Sequence, residues 1–289
     1  RLPVDRVFSM KGFGTVATGT LLAGRLAQDE DLVLEPSGRS VKVRGLQVHG
    51  ALHPEAVAGQ RVAVNLAGLE VADVSRGETL TRPGSVTVTR HVDVRVELLA
   101  SARPLRHGAR VRFHQGTREL LGRVALSEGS HVEPGASAFA RVHLEAPAVL
   151  LRGDRFILRA YSPLSTIAGG TVLDPLPPRR GVRTAAGAAR FAQLSEVDAP
   201  DDAVMAMVEE AGLAGLPVDQ LVSRAGVPSD GCETLGARVV ENARAARIGA
   251  VLVSASQLSA VEPQILDAVA RYHARHPLED GMPREELRE

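Results

Sequence analysis

The 289 residues carry a single cysteine, no tryptophan and equal numbers of basic and acidic side chains, 34 of each. A chain of that length is expected to form about two domains with cores of ordinary depth, and nothing in its composition argues for disorder. It contains no run of about 18 apolar residues to span a membrane and no basic-then-apolar leader, while the lone Cys232 excludes an internal disulfide and fits a reducing cytoplasm.

The zero net charge hides an uneven distribution. Residues 1–180 hold 24 Lys and Arg against 17 Asp and Glu, a surplus of 7, whereas residues 181–289 hold 10 against 17, a deficit of 7. Different partners are expected for the two parts. A positive, Arg-rich surface suits phosphate, which the planar guanidinium grips at two points. A composition-wide preference for Arg explains the choice of Arg over Lys equally well, but it does not explain the split.

The stretch from Val4 to Leu26 reads as strand, glycine turn, strand. Val4, Phe8 and Met10 are apolar, Gly12 and Gly14 reach backbone conformations closed to other residues, and Thr15, Val16, Thr18 and Thr20 are β-branched. Short strands follow at 31–34, 41–44 and 61–66, set off by turn residues. In the last of these Val62, Val64 and Leu66 share one face and Arg61, Ala63 and Asn65 the other, so Arg61 points away from the core. Together these segments predict an antiparallel β-barrel over residues 1–84.

A second antiparallel barrel is predicted over 85–175. Val92, Val94, Val96 and Leu98 alternate with Asp93, Arg95 and Glu97, and Ala140, Val142 and Leu144 alternate with Arg141, His143 and Glu145. The proline-rich run from Asp174 to Gly181 predicts a linker over 176–199. Beyond it the apolar period lengthens to about 3.6. Helices are expected after Pro200, over 218–225 and over 230–246, and a hairpin over 247–253 completes winged-helix order within 200–256. A helix over 257–276 then leads to Arg284–Arg288, which reads as the start of a second winged helix within 257–289. The predicted fold class is therefore mainly β, then α.

Familiar chemistries fail on their own requirements. Gly12-x-Gly14-x-x-Ala17 loosely matches a dinucleotide fingerprint, but a strand pattern follows where that motif needs a helix. Lys11 precedes the glycines and no Gly-Lys-Ser/Thr follows them, so no GTP-binding loop is found. His273 and His276 lie one helical turn apart with Glu279 and Asp280 beyond, yet no second cluster supplies a third or fourth ligand, and they read as a solvated helix end rather than a metal site. No Gly-x-Ser-x-Gly elbow occurs, and no catalytic residue is assigned. Asp5, Arg6 and Arg61 stand out as charges on strands, and on the residues alone they read as a surface ion pair contributing less than about 1 kcal/mol.

The phrase from Asp5 through Phe8, Gly12, Gly14-Thr15-Val16 and Thr18-Gly19 to Gly24 resembles the opening of the second domain of translational GTPases of the elongation factor Tu type. Gly59-Gln60-Arg61-Val62-Ala63-Val64, the run from Gly153 to Pro163, and Tyr272-His273 leading to Met282–Leu287 narrow the resemblance to the selenocysteine-specific elongation factors, SelB. The resemblance covers essentially the whole chain. It implies tandem barrels and winged helices, with Gly12, Gly14 and Thr15 forming the barrel-entry turn. It also implies that Asp5, Arg6 and Arg61 line the pocket for the selenocysteinyl group of the tRNA. Selenocysteinyl-tRNA, the ribosome and an mRNA hairpin are the implied partners. GTP and magnesium would belong to a domain before Arg1, and the hairpin to winged helices beyond Glu289, so this chain is expected to be a binding part without a cofactor or GTPase activity of its own.

Two rivals remain at this stage. A winged-helix DNA-binding regulator would need a basic third helix and wing, whereas Asp230, Glu233 and Glu241 fall on that helix. Another elongation factor Tu-like GTPase would share the barrels but carry no winged helix.

Overall fold

A computed structural model describes residues 1–197 and 199–287, with side chains at all of these but 229 and 230. The first barrel is built from β1 (Leu2–Met10), β2 (Gly14–Thr20), β3 (Arg25–Ala27), β4 (Asp31–Glu35), β5 (Arg39–Val48), β6 (Ala51–His53), β7 (Glu55–Val57), β8 (Arg61–Ala67) and β9 (Thr79–Thr81). The order β4-β9-β1-β2-β8-β5 closes on itself through a β4–β5 pairing, β6 extends the edge at β5, and β3 pairs with β7. Closure leaves no free edge along the main wall. The inward alternation buries Val4, Ala17, Leu34, Val43, Val62 and Val64 among others. Gly12 and Gly14 carry positive φ, 84° and 83°, with open space around each, so conformation rather than crowding selects glycine in this turn.

The second barrel follows with β10 (Val88–Leu98), β11 (Leu105–Arg106), β12 (Arg110–Gln115), β13 (Arg118–Leu126), β14 (His131–Val132), β15 (Ser137–Val149), β16 (Arg155–Ala160) and β17 (Thr166–Asp174). Its closed order is β10-β15-β13-β12-β16-β17. Val92, Val94, Val96, Val142 and Leu158 fill it, and Phe113 stacks on Phe156 at 4.7 Å between ring centroids.

The helical part contains α1 (Ala185–Glu196), α2 (Pro200–Ala211), β18 (Leu216–Pro217), α3 (Leu221–Ala225), α4 (Ser229–Glu241), β19 (Ala245–Ile248), β20 (Val251–Ser254) and α5 (Ala255–Arg275). The β18-β20-β19 sheet supplies the wing. Two sequence expectations are corrected here. The segment 176–199, expected as linker, holds α1, whose Phe191 and Leu194 are buried in the helical core, with Phe191 stacked on Phe139 of the second barrel at 5.6 Å. The helix expected to reach 246 stops at Glu241, because Ala243 adopts φ 53° and the chain turns back into the wing. In the segment expected to begin a second winged helix, residues 284–287 form a turn, and Arg288 lies outside the described residues.

The winged helix is seated on the barrels. Ser223 of α3 is fully buried, its hydroxyl accepting from the Thr87 N–H at 3.2 Å and its carbonyl from the Arg152 N–H at 2.9 Å. Arg152 in turn donates to the carbonyls of Leu173, Leu194 and Val197, closing the open end of α1. Asp93 and Asp174, each with no exposed surface, are gripped from three sides. Arg141 forks onto Asp93 at 2.6 and 2.9 Å, Arg224 forks onto Asp174 at 3.1 and 2.6 Å, and Arg190 of α1 reaches Asp93 at 2.6 Å as well as Asp174. Arg190 also meets Glu210 of α2 at 2.7 Å. Asp93 and Arg141 sit on strand faces that the alternation gave to solvent, and α1 covers them.

Candidate functional site

The wall formed by β1, β2 and β8 carries the charged cluster. Along β1, Val4 pairs with Gly19 and Arg6 with Thr18, so Asp5 is one extra residue in the ladder, a β-bulge. Thr18 faces Ala63 across β2 and β8, and Arg61 lies two residues before Ala63, on the same outward face. Arg6, Thr18, Ala63 and Arg61 therefore share the outside of the barrel.

Arg61 donates from Nη1 to Asp5 Oδ2 at 2.6 Å and from Nη2 to Asp5 Oδ1 at 3.1 Å. The Thr18 hydroxyl donates to Asp5 Oδ1 at 2.6 Å. Partial burial works against the Asp5 charge, but the hydrogen bonds from Arg61 and Thr18, with the nearby charges of Arg61 and Arg6, hold its carboxyl below the usual range. The same pairing raises the Arg61 guanidinium. Arg61 keeps 55% of its side chain exposed and Asp5 21%, so the pair is open to a ligand. Arg6 is exposed and has no hydrogen bond or ion pair among the described residues. The cluster thus presents two guanidiniums and one carboxylate, a net charge of +1.

The structure brings Asp5, Arg6 and Arg61 together and adds Thr18, to which the sequence reading assigned no role at the site. The barrel-entry turn is elsewhere. Gly12 and Gly14 cap the far end of the β1–β2 hairpin, roughly 15 Å along the strands from Asp5. Thr15 points inward, 4% exposed, and its hydroxyl donates to the Leu69 carbonyl at 2.6 Å, which anchors the end of the hairpin to the segment after β8.

Beside the cluster on the same wall lies an open groove of about 500 Å³, lined by Phe8, Met10, Phe13, Val16, Leu52 and Ala63 with Arg44, His53 and Asn65 at its polar margins. Phe8, Phe13 and Leu52 expose 38%, 43% and 70% of their surface, so the groove presents an uncovered apolar face. Ala63 belongs to both features, so the groove and the cluster are continuous.

Among the described residues no group of three or more His, Cys, Asp or Glu could hold a metal, and no helix is long and apolar enough to cross a membrane. His276 meets Glu279 at 3.4 Å and stacks on Tyr272. On α4 and the wing, Arg238 pairs with Asp201, Arg244 with Asp202 at 2.6 Å, and Arg247 with Glu233 at 3.1 Å. A DNA-reading helix would present those cations unpaired; Asp230, counted with its acidic residues from sequence, has a side chain outside the described residues.

Two tandem six-stranded antiparallel barrels followed by a winged helix define a protein of the translation elongation factor class. Residues 14–81 match the family model for elongation factor Tu domain 2, residues 91–179 that for the β-barrel domain of the selenocysteine-specific elongation factor, and residues 266–289 that for the winged helix of elongation factor SelB. Over 99% of its length the chain is 38% identical to the selenocysteine-specific elongation factor of Desulfomicrobium baculatum, covering 46% of that protein. Over its full length it is 31% identical to the Escherichia coli factor of the same name, covering 44% of it. A crystal structure of a bacterial selenocysteine-specific elongation factor superimposes with a TM-score of 0.73 at 23% identity, over 98% of this chain and 44% of the other, which shows the shared fold. The chain belongs to the selenocysteine-specific elongation factor family, SelB, and spans about half the length of these relatives. Neither rival reading is favoured by these matches.

Proposed function

We propose that this chain holds the aminoacyl end of selenocysteinyl-tRNA, with Asp5, Arg6 and Arg61 at the selenocysteinyl group and the apolar groove beside it covered by the adjoining end of the tRNA. The observation that carries the reading is the charge arrangement. Asp5 offsets one of two neighbouring guanidiniums, and the remaining single positive charge matches a monoanion. A selenol is more acidic than a thiol or a hydroxyl, so at neutral pH selenocysteine is an anion while serine is neutral. The anion gains charge-assisted hydrogen bonds, whereas a seryl group would leave Arg6 and Arg61 unanswered under the bound tRNA.

In the whole protein this binding serves delivery of selenocysteinyl-tRNA to the ribosome at UGA codons, dependent on GTP and on an mRNA hairpin, in the cytoplasm. The sequence holds no Gly-Lys-Ser/Thr loop, and the reading places GTP and magnesium in the rest of the whole protein. The first winged helix acts as a spacer, since its wing-side arginines are paired to its own carboxylates.

Dissociation constants of the full-length protein for selenocysteinyl-tRNA and seryl-tRNA across pH test the proposal. A preference for the selenocysteinyl form at neutral pH that fades as the selenol protonates is expected. A preference unchanged by pH would contradict it.

A further inference from the structure

The family resemblance implied three charges at the site, but the geometry gives them an order. Asp5 is the extra residue of a bulge, so the ladder does not fix its direction as it fixes Val4 and Arg6. Arg61 is long, half exposed and, among the described residues, held only through Asp5. Ala63, opposite Thr18, is too short to steady either of them. Thr18, on the strand between β1 and β8, has a stiff, β-branched side chain, and it is its hydroxyl, not that of Thr20 opposite Arg61, that donates to Asp5. We infer that Thr18 is a positioning residue: its hydroxyl fixes the Asp5 carboxylate, which accepts both terminal nitrogens of Arg61 and leaves the Nε edge of that guanidinium for the anion.

The inference rests on the reading of the site given above and adds what sets its geometry. Among the described residues nothing accepts from Arg61 Nε, so that edge and the unpaired Arg6 are the donors still open. The Thr18 proton is spent on Asp5, so Thr18 touches the ligand through neither charge nor proton. Without the hydroxyl, Asp5 keeps Arg61 as its partner but gains freedom about the bulge. The fork then swings with it, and the anion loses a fixed donor edge more than it loses charge.

Two variants test this. Thr18→Val keeps the shape and removes the hydroxyl; Thr18→Ser keeps the hydroxyl. In the full-length protein Thr18→Val should weaken selenocysteinyl-tRNA about tenfold and seryl-tRNA less than about twofold, the size of one charge-assisted hydrogen bond. Thr18→Ser should recover most of the difference. A structural role would move both tRNAs together. As a second readout, the Asp5 carboxyl followed by NMR should titrate closer to the ordinary carboxylate range in Thr18→Val and stay low in Thr18→Ser. An unchanged ratio of the two dissociation constants in Thr18→Val, an unmoved Asp5 titration, or a Thr18→Ser protein that behaves like Thr18→Val would each overturn the inference. If Arg61→Ala narrows the ratio and Thr18→Val does not, Thr18 falls and the pocket stands; if Arg61→Ala leaves the ratio unchanged, both fall.

Discussion

At the residue scale, Gly19 shows how closely the cluster is built into the wall. A Cβ placed there would lie 2.2 Å from the Pro3 carbonyl oxygen and 2.6 Å from Leu2 Cδ2, contacts that only a backbone shift could relieve. Its partner across β1 is Val4, immediately before the bulge that frees Asp5. Gly19→Ala is therefore expected to lose about 1–3 kcal/mol, the usual cost of overpacking, read from the denaturation midpoint at unchanged slope. Arg61 was legible from the sequence because strand alternation alone puts it outside the core, and the resemblance supplied its partners. Thr18 was not. A bulge shifts register by one residue, and no periodicity in the sequence announces it, so the link from Thr18 to Asp5 exists only in three dimensions.

Elements hide their partners in a similar way. The alternation in β10 and β15 marks Asp93 and Arg141 as outward, which they are; that α1 lies over them cannot be read from a period of two. Three prolines between 175 and 178 read as a spacer, while the run that follows, rich in Ala and Gly, carries too little apolar pattern to declare a helix. Its Phe191, Leu194 and Arg190 decide the matter by packing and charge. Burial pushes the Asp93 carboxyl up, and the guanidiniums of Arg141 and Arg190 offset that only in part. A buried carboxylate that loses a partner is costly, often by about 3–5 kcal/mol, but Arg141 and Arg224 would still hold Asp93 and Asp174. Arg190→Met is thus expected near the low end, about 3 kcal/mol, with part of the loss recovered on adding Asp93→Asn. Urea unfolding of the single and double variants measures this, and a single variant as stable as the parent would show that the network adds nothing.

Across the whole molecule, the two barrels and the winged helix differ in charge. The barrels hold the surplus of positive charge and the Asp5–Arg6–Arg61 cluster, and the helical part holds the acidic surplus and pairs its wing-side arginines with its own carboxylates. Contacts to the phosphates of a tRNA body would be common to every tRNA and would set the salt dependence, whereas the cluster, in the proposed reading, would meet the aminoacyl group. Arg61→Ala separates the two. In the open protein the Asp5 pair contributes no more than about 1 kcal/mol, but under a bound tRNA end, shielded from water, one hydrogen bond to a charged ligand is expected to contribute about 1.5–3 kcal/mol. The decisive measurement is the pair of dissociation constants for selenocysteinyl-tRNA and seryl-tRNA, in the parent and in Arg61→Ala, using the full-length protein with GTP. A loss of that size for selenocysteinyl-tRNA, with little change for seryl-tRNA, is predicted; equal losses for both would place Arg61 on the common tRNA body and contradict the pocket.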